Sequence, residues 1–269
     1  MIKKKESKII VISIGYNCEE RFLIRNFLSV QKQNLICDCV HIVIDDGSNT
    51  DICSNIVTKF PNIIFYKNDM RLGAENLLHI NKYIKSPDDV IVLLDLYNWL
   101  ADPYALQTID SYHHFGNWVT YGSYISSKSK VRKSEYIECV PDSTLKKKLY
   151  RVSQWRPSLP LSFRAHLWQK INIDLLQSIN GDFLMLCYDI PLFHLLLDLT
   201  PYNRVKLLNE IIAVKNSEYN NNFYEEEFKL NVSNFRTIQG LEEILSSEPI
   251  EDNQFILLPI IISQKDIKK

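Results

Sequence analysis

The sequence predicts an α/β protein built on a mixed, mostly parallel sheet flanked by helices, and three observations carry that prediction. Apolar, β-branched runs recur at 9–14, 40–44, 63–66 and 90–94. Stretches of helical periodicity separate them, joined by short loops. Each run ends in polar residues: Tyr16 and Asn17, Asp45 and Asp46, the stretch 68–71, and Asp95. Strand–helix–strand alternation gives a parallel sheet covered by helices, and such sheets bind ligands beyond the carboxyl ends of their strands.

The run 9–14 suits a strand buried on both faces. Residues 19–33 then place Phe22, Leu23, Phe27, Leu28 and Val30 on one helical stripe. A second strand at 40–44 runs into Asp45, Asp46, Gly47 and Ser48. A helix is expected over 51–60, with Thr50 or Asn49 as cap. A third strand at 63–66, a helix over 74–84 and a fourth strand at 90–94 complete the alternation. After Pro103 the periodicity loosens. Residues 118–125 read as a strand, and the polar stretch 126–148 as a loop over the site. Apolar helices are expected at 163–173 and 186–199, a surface segment at 217–234 and a late strand at 255–262. No repeat or linker divides the chain, so 1–269 reads as one domain.

Composition excludes several classes. The formal net charge is −1 with Lys and Arg dispersed, which leaves no electrostatic footprint for nucleic acid. Six cysteines without a C-x-x-C pair suggest buried thiols in a reducing compartment. The basic start followed by an apolar run of about seven residues is too short and lacks a cleavage site for a signal peptide. No stretch approaches the roughly 20 apolar residues of a membrane helix. A soluble, cytoplasmic protein is expected, associated with a membrane only through partners.

The strand tip with Asp45, Asp46, Gly47 and Ser48 is the most informative segment. An Asp there can accept from a nucleobase imide N–H, and a Gly lets a ring approach the backbone. The alternative is a plain strand-to-helix turn in which Ser48 and Asp51 cap the next helix.

The segment Asp45-Asp46-Gly47-Ser48-Asn49-Thr50-Asp51 resembles the D-D-G-S-x-T-D signature of family 2 glycosyltransferases, inverting enzymes of the GT-A fold. Three further segments resemble the family in the right order. These are Ser13 to Asn17 followed by the helix with Ser29 and Gln33, then Asn68, Arg71, Gly73, Ala74 and Asn76, and finally the strand ending Asp95-Leu96-Tyr97-Asn98-Trp99-Leu100. The resemblance makes 8–105 a nucleotide-binding half and 106–269 an acceptor half. It implies that Asp45 and Asp46 meet the base and that Tyr16, beside Ser13 and Gly15, lines the base pocket. Arg71 and Asn76 would lie near base and pyrophosphate, and Asp95 near the ribose. The alternative for Arg71 is a surface residue at a helix start.

The family's strand-end motif supplies a second carboxylate that holds Mn²⁺ or Mg²⁺. Here Tyr97 stands in that place, and a phenol is a poor ligand for a hard dication. Asp95 and the Asn98 carbonyl are the metal donors that remain. Fainter similarity to viral and bacterial members continues through Asn117 to Gly122, through Ser162 to Ile171, and through Gly181, Phe183, Tyr188, Asp189 and Asp198. Leu159, Pro160 and Leu161 replace the common H-L-R. An inverting transfer needs a carboxylate to take the acceptor's proton. Asp198 and Asp189 are the candidates, with Asp198 preferred; a helix-end charge and a helix cap are the plainer alternatives. His194, between them, reads as a core histidine, and Asp182 as a turn residue.

The expected activity is transfer of a sugar from a UDP-type nucleotide sugar to a carbohydrate or peptide hydroxyl, with a glycoprotein among the acceptors. The competing expectation is an inactive relative that keeps the fold and nucleotide binding, favoured by Tyr97 and the lost H-L-R. A nucleotidylyltransferase fits less well, because the chain has no Gly-rich basic loop to cradle a triphosphate.

Overall fold

The computed structural model describes residues 7–129, 139–151, 153, 160–178 and 180–218. The eight strands are β1 (Ile9–Gly15), β2 (Cys39–Asp45), β3 (Ile63–Lys67), β4 (Val90–Leu93), β5 (Trp99–Leu100), β6 (Val119–Ser126), β7 (Leu161–Arg164) and β8 (Val205–Lys215). They form one sheet in the order β3-β2-β1-β4-β7-β6-β8-β5. β1 to β4 are mutually parallel, β7 is antiparallel to β4 and β6, β8 is parallel to β6, and β5 is antiparallel to β8. β5 and β7 therefore run against the other six. Ser126 and Lys215 emerge at the same edge as Gly15, Asp45, Lys67 and Leu93.

β1 is buried along its whole length. Its side chains alternate between faces, as a strand's period of two requires. Ile10, Ile12 and Ile14 join Ile42, Ile44, Ile91 and Leu93 in one apolar cluster, while Ile9 and Val11 join Val90 and Val92 in another. The first cluster is covered by 3-10 turns over Gly73–Lys82 and by an α-helix at Asp189–Asp198. The opposite face carries helix α1 (Glu20–Gln31), α2 (Ile52–Val57) and α3 (Ala105–His114). Short helices α4 (Asp142–Lys146) and α5 (Ala165–Trp168) make the Asp189–Asp198 helix α6.

The Ser29 and Gln33 motif has a clear structural use. Ser29 Oγ accepts from Leu100 N at 3.0 Å, and Gln33 donates to Asp102 O at 2.7 Å and accepts from Leu106 N at 2.8 Å. These bonds fasten α1 to β5 and to the start of α3.

Several expectations need correction. The helix expected over 163–173 begins as β7, because Leu161 and Phe163 fill the gap between β4 and β6 and pair with both. The 74–84 helix runs as 3-10 turns: Gly73 has φ +54, and the Asn76 side chain donates to Gly73 O in competition with helical bonding. The helix after β2 shrinks to Ile52–Val57. Its cap residue Asp51 makes no capping bond and pairs with Lys67 instead. β5, α3 and the eleven-residue β8 are additions. The polar stretch is helical at α4, with 130–138 outside the described residues. Leu159, residues 219–234 and the late strand at 255–262 also lie outside them.

Candidate functional site

The expected site residues fall into three groups at the carboxyl edge and beyond it. In the first, Arg71 lies over the Tyr16 ring, 5.0 Å from its centroid. Asn49 donates to Tyr16 Oη at 3.2 Å. Asn17, at φ +50, receives a bond from Asn49 N at 3.0 Å and donates its own N–H to Ser48 Oγ at 2.8 Å. An aromatic face beside a guanidinium fork suits a flat, anionic ligand such as a nucleotide.

Asp46 does not face that pocket. It is buried, and its Oδ1 accepts from Leu72 N at 2.7 Å, Asn76 Nδ2 at 2.7 Å and Asn68 Nδ2 at 3.0 Å, while Oδ2 accepts from Gly73 N at 3.2 Å. Asn76 is equally buried, bonded to Asp46, Gly73 O and Asn68. Both residues bond within the loop that presents Arg71. Gly47 serves the same loop: at φ +77, a Cβ there would lie 2.6 Å from Met70 C and 2.8 Å from Arg71 N. The close approach at Gly47 is made by the Met70 and Arg71 backbone. Ser13 is also displaced from the site, fully buried with its hydroxyl on His41 Nε2 at 2.9 Å. Gly15 packs against Leu96, whose Cβ a Gly15 Cβ would meet at 2.7 Å. Asp45 does reach the strand tip: Oδ1 accepts from Ser48 N at 3.0 Å, and buried Oδ2 has no hydrogen-bond partner.

The second group joins both halves of the chain. Burial, and after it the Asp189 carboxylate, pushes the Asp95 carboxyl up to about 7, against the opposing influence of Lys215 and of a hydrogen bond from Asn98. Burial also raises Asp189, opposed by the backbone N–H groups of Asp189 and Ile190 and by Lys215. The Cys187 thiol is pushed up to about 12 by burial and then by Asp189 and Asp95. Asp95, Asp189, Cys187 and Lys215 therefore share one electrostatic neighbourhood at the sheet edge. Ala74 N donates to Leu184 O at 2.8 Å, which ties the segment leading into α6 onto the 3-10 turns over Gly73–Lys82.

The turn after Asp95 is held rigidly. Buried Asn26 of α1 donates to Asp95 O at 3.1 Å and Asn98 O at 2.8 Å. Asn98 donates to Asp95 Oδ2 at 3.0 Å, and its Oδ1 accepts from Asn216 N at 2.9 Å. The Asn98 oxygen that a metal would need thus already accepts one hydrogen bond. Tyr97 packs against the apolar cluster containing Cys18, Phe22 and Leu96. Among the described residues, no group of three or more His, Cys, Asp or Glu is arranged to hold a metal ion. The donor set fits a hard dication poorly.

The third group stands apart. Asp198 ends α6, roughly 13 Å along the axis from Asp189. Arg151 grips it by both terminal nitrogens, Nη1 to Oδ1 at 2.8 Å and Nη2 to Oδ2, and Tyr150 Oη donates to Oδ1. Buried His194 stacks near Tyr150, with ring centroids 5.7 Å apart. Of the two expected acids, Asp189 is the one whose charge bears on Asp95. Leu161, in the H-L-R position, is buried within β7.

No protein-family model and no curated protein matches the chain. Solved structures do. The chain shares its fold with S. aureus TarS. TarS 1–349 superposes at TM-score 0.59 and 16% identity, covering 90% of this chain and 67% of that one. The same TarS piece in complex with UDP-GlcNAc gives TM-score 0.62 at 16% identity, covering 90% and 68%. Its complex with UDP gives 0.59 at 17%, covering 90% and 67%. Of a longer TarS chain, this one spans 40%. At such identity the likeness is one of fold, and the architecture is the GT-A fold expected from the sequence.

Sequence reasoning missed Lys215 and Asn26. Asn26 sits inside an amphipathic stripe, where only the tertiary position of the 95–98 turn gives it meaning. Lys215 ends β8, and the β-branched run at 211–214 was the signal that could have exposed it. Among the described residues, no helix is long and apolar enough to cross a membrane.

Proposed function

We propose that the chain is a nucleotide-sugar-dependent glycosyltransferase using a UDP-type donor and an inverting mechanism. The meeting of Asp95 and Asp189, one from the end of β4 and one from the start of α6, carries this reading. Two carboxylates from separate halves, both raised, are the arrangement that acid–base chemistry near neutral pH needs. The TarS complexes with UDP-GlcNAc and UDP support the donor class. Tyr16 and Arg71 receive the base and Asp45 its imide N–H through the unpartnered Oδ2, while Asp95 contacts the ribose. Asp189 takes the proton of the acceptor hydroxyl as its oxygen bonds to the anomeric carbon. The bond from that carbon to the diphosphate oxygen breaks, with its electron pair leaving on the diphosphate. The acceptor is a carbohydrate or peptide hydroxyl.

UDP release from a panel of UDP-sugars, with and without acceptor sugars, tests the reading. Donor-dependent release that Asp189→Asn reduces by roughly 10²-fold or more supports it. A second reading, nucleotide binding without turnover, is favoured by Leu161 and Tyr97 standing where the family carries polar groups. UDP binding with no release across the panel selects that reading.

A further inference from the structure

We propose that the donor's diphosphate is balanced by the Lys215 ammonium, with Asn216 beside it, in place of a divalent cation; the inference rests on the glycosyltransferase reading. Three geometric observations converge. First, β5 pairs with β8 through Trp99 opposite Val214, so Lys215 comes level with Asn98 at the end of the ladder, and Asn216 N bonds Asn98 Oδ1 at 2.9 Å. The chain following β8 is thereby pinned onto the turn that the family uses for its metal. Second, β8 points its carboxyl end to the ligand edge of the sheet, which makes Lys215 the cation that strand delivers there. Its Nζ lies 5.3 Å from the Tyr124 ring centroid, an aromatic face that orients an ammonium without consuming its charge. Third, Asn216 is buried yet its Nδ2 has no hydrogen-bond partner. A buried amide donor left open beside a lysine suits an anionic oxygen.

The same residues disfavour a metal. Tyr97 packs against an apolar cluster, and the Asn98 oxygen already accepts from Asn216 N. Lys215 acts electrostatically on both Asp95 and Asp189, so a dication there would meet a positive charge already in place. In the transfer step Lys215 gives up no proton. It offsets the negative charge that collects on the diphosphate as the anomeric bond breaks, work that elsewhere falls to a metal ion.

The test is calorimetric titration of the full chain with uridine and with UDP, each in EDTA and in MnCl₂, for wild type, Lys215→Met and Lys215→Arg. Thermal melts establish that the variants fold, as an exposed strand-end position predicts. The expected result is UDP affinity equal in EDTA and MnCl₂, at least tenfold weaker in Lys215→Met, and largely restored in Lys215→Arg, with uridine binding unchanged throughout. UDP binding that vanishes in EDTA and returns with Mn²⁺ overturns the proposal. So does UDP affinity in Lys215→Met within twofold of wild type, and either result leaves the glycosyltransferase reading standing. Failure of both uridine and UDP to bind wild type overturns the clamp and that reading together.

Discussion

Asp46 and Asn76 are joined by a buried hydrogen bond of 2.7 Å, and the bond belongs to a knot that shapes the loop carrying Arg71. The carboxylate accepts from two backbone N–H groups and two amide side chains. Asp46→Ala removes a charged acceptor from four donors, of which the Asn68 and Asn76 amides keep one bond each while the Leu72 and Gly73 N–H groups lose theirs. The expected cost is roughly 3 kcal/mol of unfolding free energy or more. Chemical denaturation checks it. A variant of unchanged stability that loses only UDP affinity would instead return Asp46 to ligand contact.

The two acids of α6 should separate cleanly. Asp189→Asn removes the charge that helps raise Asp95, so stability is held or gained while UDP release falls roughly 10²-fold or more. Asp198→Asn removes the charge that Arg151 pairs with and leaves a single neutral acceptor oxygen for Arg151 and Tyr150, costing about 1–2 kcal/mol after allowance for solvent screening. Its turnover, measured below the melting transition, should stay within a few-fold of wild type. Equal losses of turnover in both variants would show that the Arg151 pair opens during the reaction.

These contrasts mark where the sequence stops being legible. β1 to β4 and the helix α1 could be read because their periods are local: a β-branched run or a helical stripe shows itself within about ten residues. β7 could not, since Leu161 and Phe163 are strand residues only because β4 and β6 flank them. The site divides in the same way. Residue types put Tyr16, Asp45 and Asp95 at strand ends, where the fold has them. Whether an Asp meets a ligand or a backbone amide is settled by partners far along the chain, as with Asp46 and Leu72. Likewise, the sequence offers Asp198 and Asp189 with Asp198 preferred, and the packing of Arg151 against Asp198 shows only in the fold.

Gly47 and Gly181 make a paired test of backbone against space. Both have positive φ, +77 and +85, but a Cβ at Gly181 meets nothing within 4 Å, whereas at Gly47 it strikes the Met70 and Arg71 backbone. Gly181→Ala should cost about 1 kcal/mol, the strain of a left-handed alanine. Gly47→Ala should cost distinctly more, roughly 2–3 kcal/mol, and weaken UDP binding by displacing Arg71. Equal costs at the two positions, measured by denaturant midpoints, would mean that the 70–71 loop yields freely.

Three buried histidines set the acid limit of the fold. His41, His113 and His194 are each depressed to about 3, in every case chiefly by burial. Arg164 adds to the effect on His113 and Arg151 to that on His194, where Asp198 opposes it. His113 shows why protonation is costly. Its Nδ1 must donate to Asn117 O at 3.0 Å, so Nε2 accepts from Ser162 Oγ at 2.8 Å, and Thr120 in turn donates to Ser162. A proton on Nε2 sets two donors face to face. The folded values lie below the unfolded value near 6.5, so the unfolded chain binds protons that the native state refuses. Stability is then fully present above about pH 6.5 and falls as the pH drops from there toward 3, by up to about 1.4 kcal/mol per pH unit for each histidine. The Asp95 carboxyl, raised to about 7, and the raised Asp189 act in the opposite sense over this range. Urea denaturation at pH 7, 6 and 5 should therefore show a shallower decline for His41→Gln than for wild type and a steeper one for Asp95→Asn. A profile between pH 7 and 5 that His41→Gln leaves unchanged would mean that His41 is charged in the native state.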